Sequence, residues 1–341
     1  MNKTNSVTIK DVAKKAKVSP STVSRVISKN PRISKATSDR VLECMKELGY
    51  YPNAIARSLA KNRTGTIGVI MPTTSEDVFL NPFFPEALRG IAKGATKAGY
   101  DILLSANSEK NEELKIIQNF IRSSKVDGLI LMSSKLNDEC IEYLHSIDFP
   151  FSLIGTPNIN IDRTNHVDND NFMAAYELTI HLRMIGKKNI AMIAGDEKLT
   201  MTQKRVDGYK RALIESNISF NKGLLFTGSF DEKTGHKYGD IIAKLESRPD
   251  AVIITDDLVA FGAVRVFEQL GVRIPEDIAV ASFNNSILSK YANIPITSVD
   301  VNAATLGLES MNLLVEAIEK GVRGNKIITP YSIMKRKSTQ I

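Results

Sequence analysis

The chain has 341 residues, 43% of them hydrophobic and 24% charged, which is long enough for more than one domain and balanced as globular chains are. Two cysteines, Cys44 and Cys140, and four scattered histidines give neither a disulfide framework nor zinc-ligand spacing, and no apolar run approaches the ~20 residues of a membrane span. The net charge of +7 is unevenly spread: residues 1–63 carry fourteen Lys or Arg against four Asp or Glu, a net +10, which leaves −3 on the remainder.

A basic head on a mildly acidic body is the electrostatic footprint of a nucleic-acid-binding segment. Periodic apolar positions within the head argue against a disordered basic tail. The first residues, "MNKTNSVTIKDVAKK", lack the apolar stretch of a signal peptide, so the expected location is cytoplasmic, with nucleoid association.

Thr8 is placed to cap a first helix whose inner side is Ile9, Val12, Ala13 and Ala16. Ser19 caps a second, with Pro20 at the first position, where its missing N–H costs nothing. Val23, Val26 and Ile27 point this second helix inward, and Ser21, Thr22, Ser24 and Arg25 are left outside. A third helix starts at Ser34, buries Val41, Cys44, Met45 and Leu48, and ends at Gly49. Two short helices joined by a tight turn and closed by a third make a helix-turn-helix, whose second helix enters the DNA major groove. Short hydroxyl side chains allow close approach to phosphates and bases, and Arg25 can pair bidentately with guanine. Ser24 is equally compatible with a solvated surface position.

Residues 53–60 form one or two turns between a proline and a basic linker, too short to be helical alone. Leu59 has no evident core to enter. A minor-groove wedge, with Asn53 and Arg57 near the backbone, would give it a role, and an ordinary interdomain linker with one spare leucine is an equal alternative; Ala56 belongs to the same expected DNA-binding segment.

From Thr66 onward, buried strands alternate with helices. "TIGVIMP", "DILLSA", "DGLILMS" and "FSLIG" are separated by helices near 84–98, 111–124 and 138–146. "NIAMIAG", "LLFTG", "DAVIITDD" and "DIAVASFNN" repeat the scheme with helices near 202–216, 232–246 and 258–270. Two such sets imply two parallel-sheet lobes. "ITSVDV" and a helix over 302–320 are expected to return to the first lobe, and "IITPYSIMKRK" to the second. No G-x-G-x-x-G follows the first strand, and no P-loop, nucleophile elbow or triad is present, so neither catalysis nor a cofactor is expected.

The stretch from Val7 to Ala60, "VTIKDVAKKAKVSPSTVSRVISKNPRISKATSDRVLECMKELGYYPNAIARSLA", resembles the head of the LacI–GalR family of regulators. The resemblance implies an all-α helix-turn-helix head with a hinge helix, joined to an α/β two-lobed periplasmic-binding-protein-like (type I) effector domain. The implied domains are 1–63, with the hinge at about 53–60, and 64–341. Within the latter, lobe 1 is about 64–163 and 296–325, and lobe 2 about 164–295 and 326–341. By resemblance, Ser21 and Arg25 read bases and Leu59 is the wedge of a hinge that folds on DNA. Pro20 stands where the lactose repressor has tyrosine, so its half-site preference does not transfer. Thr8, Ser19 and Thr22 complete the expected DNA-binding set.

Cleft residues are expected at the carboxyl ends of strands. Phe83 and Phe84 suit an apolar wall, although one of them could serve the helix core. Arg205 matches the family's effector-binding arginine, whose fork suits adjacent hydroxyls. Phe230 matches an aromatic position that stacks on effector rings, and Asp257 matches a cleft position or is only the cap of a helix beginning at Leu258. Asn284 stands where many relatives have aspartate, and an amide donates as well as accepts. "MPTTSEDVFLNPFF" and "ITPYSIMKRKSTQ" are similar to maltose-operon repressors of Gram-positive bacteria. The implied partners are double-stranded operator DNA with a pseudo-palindromic sequence, a small sugar and a second copy of the chain. The family's tetramerising C-terminal helix is not expected, because the chain stops at Ile341. A global catabolite regulator using a phosphorylated protein corepressor is the alternative, and a sugar-transport component is disfavoured by the DNA-binding head.

Overall fold

The structure is a computed structural model describing residues 7–28, 30–51, 63–74, 79–107 and 112–340, with the backbone alone at 73–74 and 106–107. The expected hinge segment, with Asn53, Ala56, Arg57 and Leu59, lies outside the described residues. The chain divides at Thr64 and Gly65 into two units.

The smaller unit holds α1 (Ile9–Ala16), α2 (Pro20–Ile27) and α3 (Lys35–Leu48). Thr8 opens α1 by donating both its N–H and its hydroxyl to the Asp11 carboxylate, at 2.9 and 2.7 Å. Ser19 and Ser34 cap α2 and α3 by accepting from the Thr22 and Thr37 amides at 3.1 and 3.3 Å. Each such cap contributes about 1 kcal/mol to a helix of this kind. Val12, Ala16, Val23 and Val41 are fully buried, and Ala13, Val26 and Cys44 complete a core of small side chains that lets three short helices meet closely. Gly49 takes the left-handed conformation that ends α3.

The larger unit contains two six-stranded sheets. The first lobe is built on β1 (Thr66–Thr74), β2 (Asp101–Asn107), β3 (Gly128–Leu131), β4 (Phe151–Ile154), β5 (His166–Asn169) and β11 (Lys326–Thr329), ordered β11-β5-β4-β3-β1-β2. All of its pairings are parallel. Its helices are α4 (Phe83–Ala98), α5 (Glu113–Arg122), α6 (Glu139–Ser146) and α12 (Ala303–Lys320). The second lobe uses β6 (Ile190–Ala194), β7 (Leu225–Thr227), β8 (Ala251–Ile254), β9 (Ala279–Phe283), β10 (Thr297–Asp300) and β12 (Ser332–Met334), ordered β12-β10-β9-β8-β6-β7. Its helices are α7 (Asn171–Met184), α8 (Thr200–Glu215), α9 (Glu232–Ala243), α10 (Asp257–Gln269) and the short α11 (Ile287–Tyr291). Strands such as "GLIL" and "AVII" are buried end to end, because helices cover both faces of a parallel sheet.

Three chain placements differ from the sequence reading. β5, "HVDN", was assigned to lobe 2 but pairs with β4 in the first sheet; its polar residues conceal a strand that is wholly buried. "ITSVDV" was expected in lobe 1, but β10 pairs in parallel with β9 of the second sheet. The tail is divided: β11 joins β5 in lobe 1, and only β12 returns to lobe 2, antiparallel to β10. The chain therefore passes between lobes after β5, after β10 and after β11. α7 was not anticipated either, since its buried residues, Asn171, Ala174, Ala175, Leu178, Thr179, His181 and Leu182, include too many polar ones to mark an apolar stripe.

The α4–α12 pair closes one face of lobe 1 through glycines. A Cβ on Gly90 would lie 1.9 Å from the Ala304 carbonyl oxygen, and one on Gly307 would lie 2.0 Å from that of Ala87. Backbone contact at this distance leaves room for no other residue at these two positions.

Candidate functional site

Two sites emerge, one in each unit. In the head, α2 buries Val23 and Val26 and exposes Ser21, Ser24 and Arg25, with Thr22 half-buried. Ser19 Oγ lies 2.7 Å from Ser21 Oγ and 2.9 Å from Thr22 Oγ1, so the capping interaction gathers three hydroxyls at the start of this helix. Lys10, Lys14, Lys17, Arg32, Lys35 and Arg40 are also exposed on this unit. Of the expected residues, Thr8 and Ser19 cap the starts of α1 and α2, and Ser21, Thr22 and Arg25 lie on α2 outside the buried side formed by Val23 and Val26.

In the body, a cavity of about 360 Å³ lies between the lobes, bounded by the carboxyl ends of strands from both sheets. Phe83 and Phe84, at the start of α4, both line it and meet edge to face with centroids 5.4 Å apart. Phe230 forms part of the opposite wall. Its ring lies so close over Gly195, at the end of β6, that a Cβ there would come 2.1 Å from the ring's Cζ. Glycine at that position is what lets the ring lie where it does.

Arg205, one turn into α8, is 3% exposed and still lines the cavity. Its Nε donates to Asn171 Oδ1 and its Nη1 to the Thr255 carbonyl, both at 2.8 Å, and the guanidinium stacks 4.1 Å from the Phe283 ring centroid. Burial lowers its pKa to about 10, against the pull of Asp168 and Asp256, so it stays charged at neutral pH. Asp168, buried in β5, accepts from Thr156 Oγ1 at 2.9 Å and from Asn171 Nδ2 and the Asn169 amide at 2.8 Å. Burial raises its pKa, and the Thr156 and Asn169 bonds and the charge of Arg205 oppose the shift.

Asp257 is not in the cavity. Its carboxylate accepts from Ser282 Oγ, from Ser298 Oγ at 2.9 Å and from the Ser286 amide at 2.6 Å, tying β9 and β10 together behind the wall. It is not the cap of α10 either; it is the first residue of that helix. Asp256, one residue earlier, both caps α10 and lines the cavity. One of its oxygens caps α10 by accepting from the Leu258 amide at 2.7 Å. The other accepts from Asn81 Nδ2 of the first lobe at 2.8 Å and from Asn284 Nδ2 at 2.9 Å, inside the cavity. Burial pushes this carboxyl up to about 6, with the Asn81 amide opposing and the charge of Asp257 adding.

Asn284 lines the cavity as expected, and the backbone explains its aim. It and Asn285 both have positive φ, 97° and 48°, a conformation that asparagine tolerates better than most residues. The sequence reading missed Asn81, Asp168, Asn171 and Asp256. Of these, Asp256 was legible: it is the first carboxylate beyond β8, and the helix start was placed one residue late.

Residues 8–53 match the family described as bacterial regulatory proteins, lacI family, and residues 179–339 match that of the periplasmic binding protein-like domain. The chain is 35% identical over 94% of its length to the HTH-type transcriptional regulator MalR of Streptococcus pneumoniae, covering 95% of that protein. It is also 35% identical to catabolite control protein A of Priestia megaterium, over 98% of this chain and 99% of that one. Among solved structures, a transcriptional regulator CelR–cellobiose complex superposes with a TM-score of 0.75 at 28% identity, over 97% of this chain and 99% of that one. These relatives are regulators and not enzymes, and no helix among the described residues is long and apolar enough to cross a membrane. The chain belongs to the LacI family of bacterial regulatory proteins and is a DNA-binding transcriptional repressor.

Proposed function

We propose that the chain is a homodimeric repressor of sugar-utilisation genes, held on a pseudo-palindromic operator and released by maltose or a maltodextrin. The observation that carries the reading is the composition of the interlobe cavity. Phe83, Phe84 and Phe230 offer flat apolar faces, and buried Arg205, Asp256 and Asp168 with half-buried Asn284 supply donors and acceptors between them. A sugar ring has one apolar face and a rim of hydroxyls that both donate and accept, and this is the pattern that the wall mirrors. A cavity of about 360 Å³ is at the small-ligand end of such sites. The CelR relative is bound to cellobiose, also a glucose disaccharide.

In this reading the recognition helices of two heads lie in successive major grooves. Ser21 and Arg25 reach bases, Ser19, Thr22 and Thr8 position the backbone, and Leu59 opens the minor groove beside Asn53, Ala56 and Arg57. Sugar binding favours the closed state of the cleft, a tighter form of the joined arrangement of the lobes, moves the first lobes of the dimer and melts the hinge, so a small motion ends operator binding. Calorimetric titration with maltose tests the effector assignment: binding that Arg205→Ala abolishes supports it, and no heat with maltose or longer maltodextrins removes it. The likeness to catabolite control protein A favours a second reading, in which a phosphorylated carrier protein binds and no sugar does.

A further inference from the structure

Helix α8, which carries Arg205, starts without a cap of its own. α2, α3, α6, α7, α9 and α10 are capped by Ser19, Ser34, Asp138, Asp170, Asp231 and Asp256; α8, like α4, α5 and α12, has no side-chain cap, and the residue before it is Leu199, which has no side-chain acceptor. The first amide of α8 is satisfied from the other lobe: Thr200 N–H donates to the Ser134 carbonyl at 3.1 Å. One step away, the Leu136 amide of lobe 1 donates to the Lys198 carbonyl of lobe 2 at 2.8 Å, and Lys135 and Leu199 form an isolated antiparallel bridge.

Both strips are set by their own lobes. Ser134 Oγ donates to the Thr156 carbonyl at 2.9 Å, and Lys135 Nζ lies 2.6 Å from Glu113 Oε1. Across the cleft, Asp196 Oδ1 accepts from the Lys198 amide at 2.9 Å, and its carbonyl accepts from Leu199 N–H at 3.1 Å. Ser134, Lys135, Leu199 and Thr200 also line the cavity, so the bridge is part of its wall.

We propose that this bridge is a backbone strap by which lobe 1 caps α8, holding the two lobes together before any effector binds. When the lobes part, Ser134 loses its donor and α8 loses its cap, so cleft opening and fraying of the Arg205 helix are one event. Two backbone bonds between preformed strips favour the joined arrangement by about tenfold or more. The inference does not depend on which effector the cavity takes.

Thr200→Pro is the specific test. Proline is accepted at the first position of a helix, and Leu199 already has the extended conformation, φ −85° and ψ 130°, required before it. The variant therefore deletes both Thr200 donors to the Ser134 carbonyl, the N–H and the more distant hydroxyl at 3.5 Å, and keeps the helix. The reporter is the Leu136 amide, on the opposite lobe, followed by hydrogen exchange on the full chain without sugar. Its protection should fall about tenfold in Thr200→Pro, while the core amides of β6 are unchanged. Unchanged Leu136 protection overturns the strap. Should the variant also lose β6 protection, the unsubstituted chain decides: Leu136 and Thr200 must then show equal opening free energies, as one unit, and unequal values overturn the strap.

Discussion

Arg205 is the residue on which the second lobe's side of the cavity depends, and its removal has a calculable cost. Arg205→Ala deletes the bonds to Asn171 Oδ1 and the Thr255 carbonyl, each worth about 1.5–3 kcal/mol where one partner is charged. It also deletes the stack on Phe283, worth about 2 kcal/mol where water is excluded. Asp168 and Asp256 lose the cation that offsets their burial. Water entering from the cavity recovers part of this, so the net loss should be about 3–5 kcal/mol, the range for breaking a buried charged network from one side. Arg205→Lys keeps the charge and loses the fork, so it should cost roughly half as much. With no tryptophan in the chain, unfolding in urea is best followed by circular dichroism. The Arg205→Ala midpoint should fall by more than about 1 M, with sugar binding abolished and operator binding by the separately folded head retained. An unfolding curve within about 0.5 kcal/mol of the parent would refute the reasoning, because it would make the guanidinium a solvated surface group.

Asp256 predicts a pH dependence. Its folded pKa, about 6 against an ordinary 3.8, favours the protonated fold, so its stabilising contribution is full below pH 4 and is lost as pH rises through 6. Asn81 and Asn284 donate to one oxygen and the Leu258 amide to the other, so a proton on either costs a bond that shapes the cavity wall, and sugar affinity should fall in the opposite sense, from pH 7.5 to 5. Asp256→Asn should flatten that profile, and a flat profile in the unsubstituted chain would remove the carboxyl from the response. Gly90→Ala gains up to about 1 kcal/mol of helix propensity but drives a Cβ into a backbone oxygen at 1.9 Å. The clash should win, at about 1–3 kcal/mol or more of lost stability, read as a lower Tm. In the head, Arg25→Ala should relax base preference in one half-site, and Leu59→Ala should weaken specific operator binding much more than non-specific binding; equal losses in the two would dismiss the wedge.

The sequence was most legible where one physical signal dominated. Ser19 followed by Pro20, with Val23 and Val26 at helical spacing, marks α2 because capping, proline tolerance and burial agree. Buried parallel strands such as "AVII" are visible for the same reason: a run of branched apolar residues has few other uses. Elements where function or inter-element bonding displaced the apolar pattern were hidden. β5 carries Asp168 and Asn169 because its end faces the cavity, and α7 begins with Asn171, which bridges Asp168 and Arg205. The crossing of β10 could not be read, since "TSVD" suits either sheet and only its pairing with β9 decides. The Asp256–Asp257 pair shows the limit of cap reasoning: adjacent carboxylates point to opposite sides of one wall, and a shift of one residue exchanges a cavity group for a structural one. The role of Ser134 as a cap from 66 residues away has no local signature beyond the missing acceptor at Leu199.

The central claim is that a sugar held between the lobes ends operator binding. It is tested most directly by fluorescence anisotropy of a labelled pseudo-palindromic operator with a central CG step, bound by the full chain and titrated with maltose at fixed salt. The account predicts release by maltose and not by glucose or sucrose. Tight binding indifferent to every sugar would contradict it, and would move the effector from the cavity to a protein corepressor.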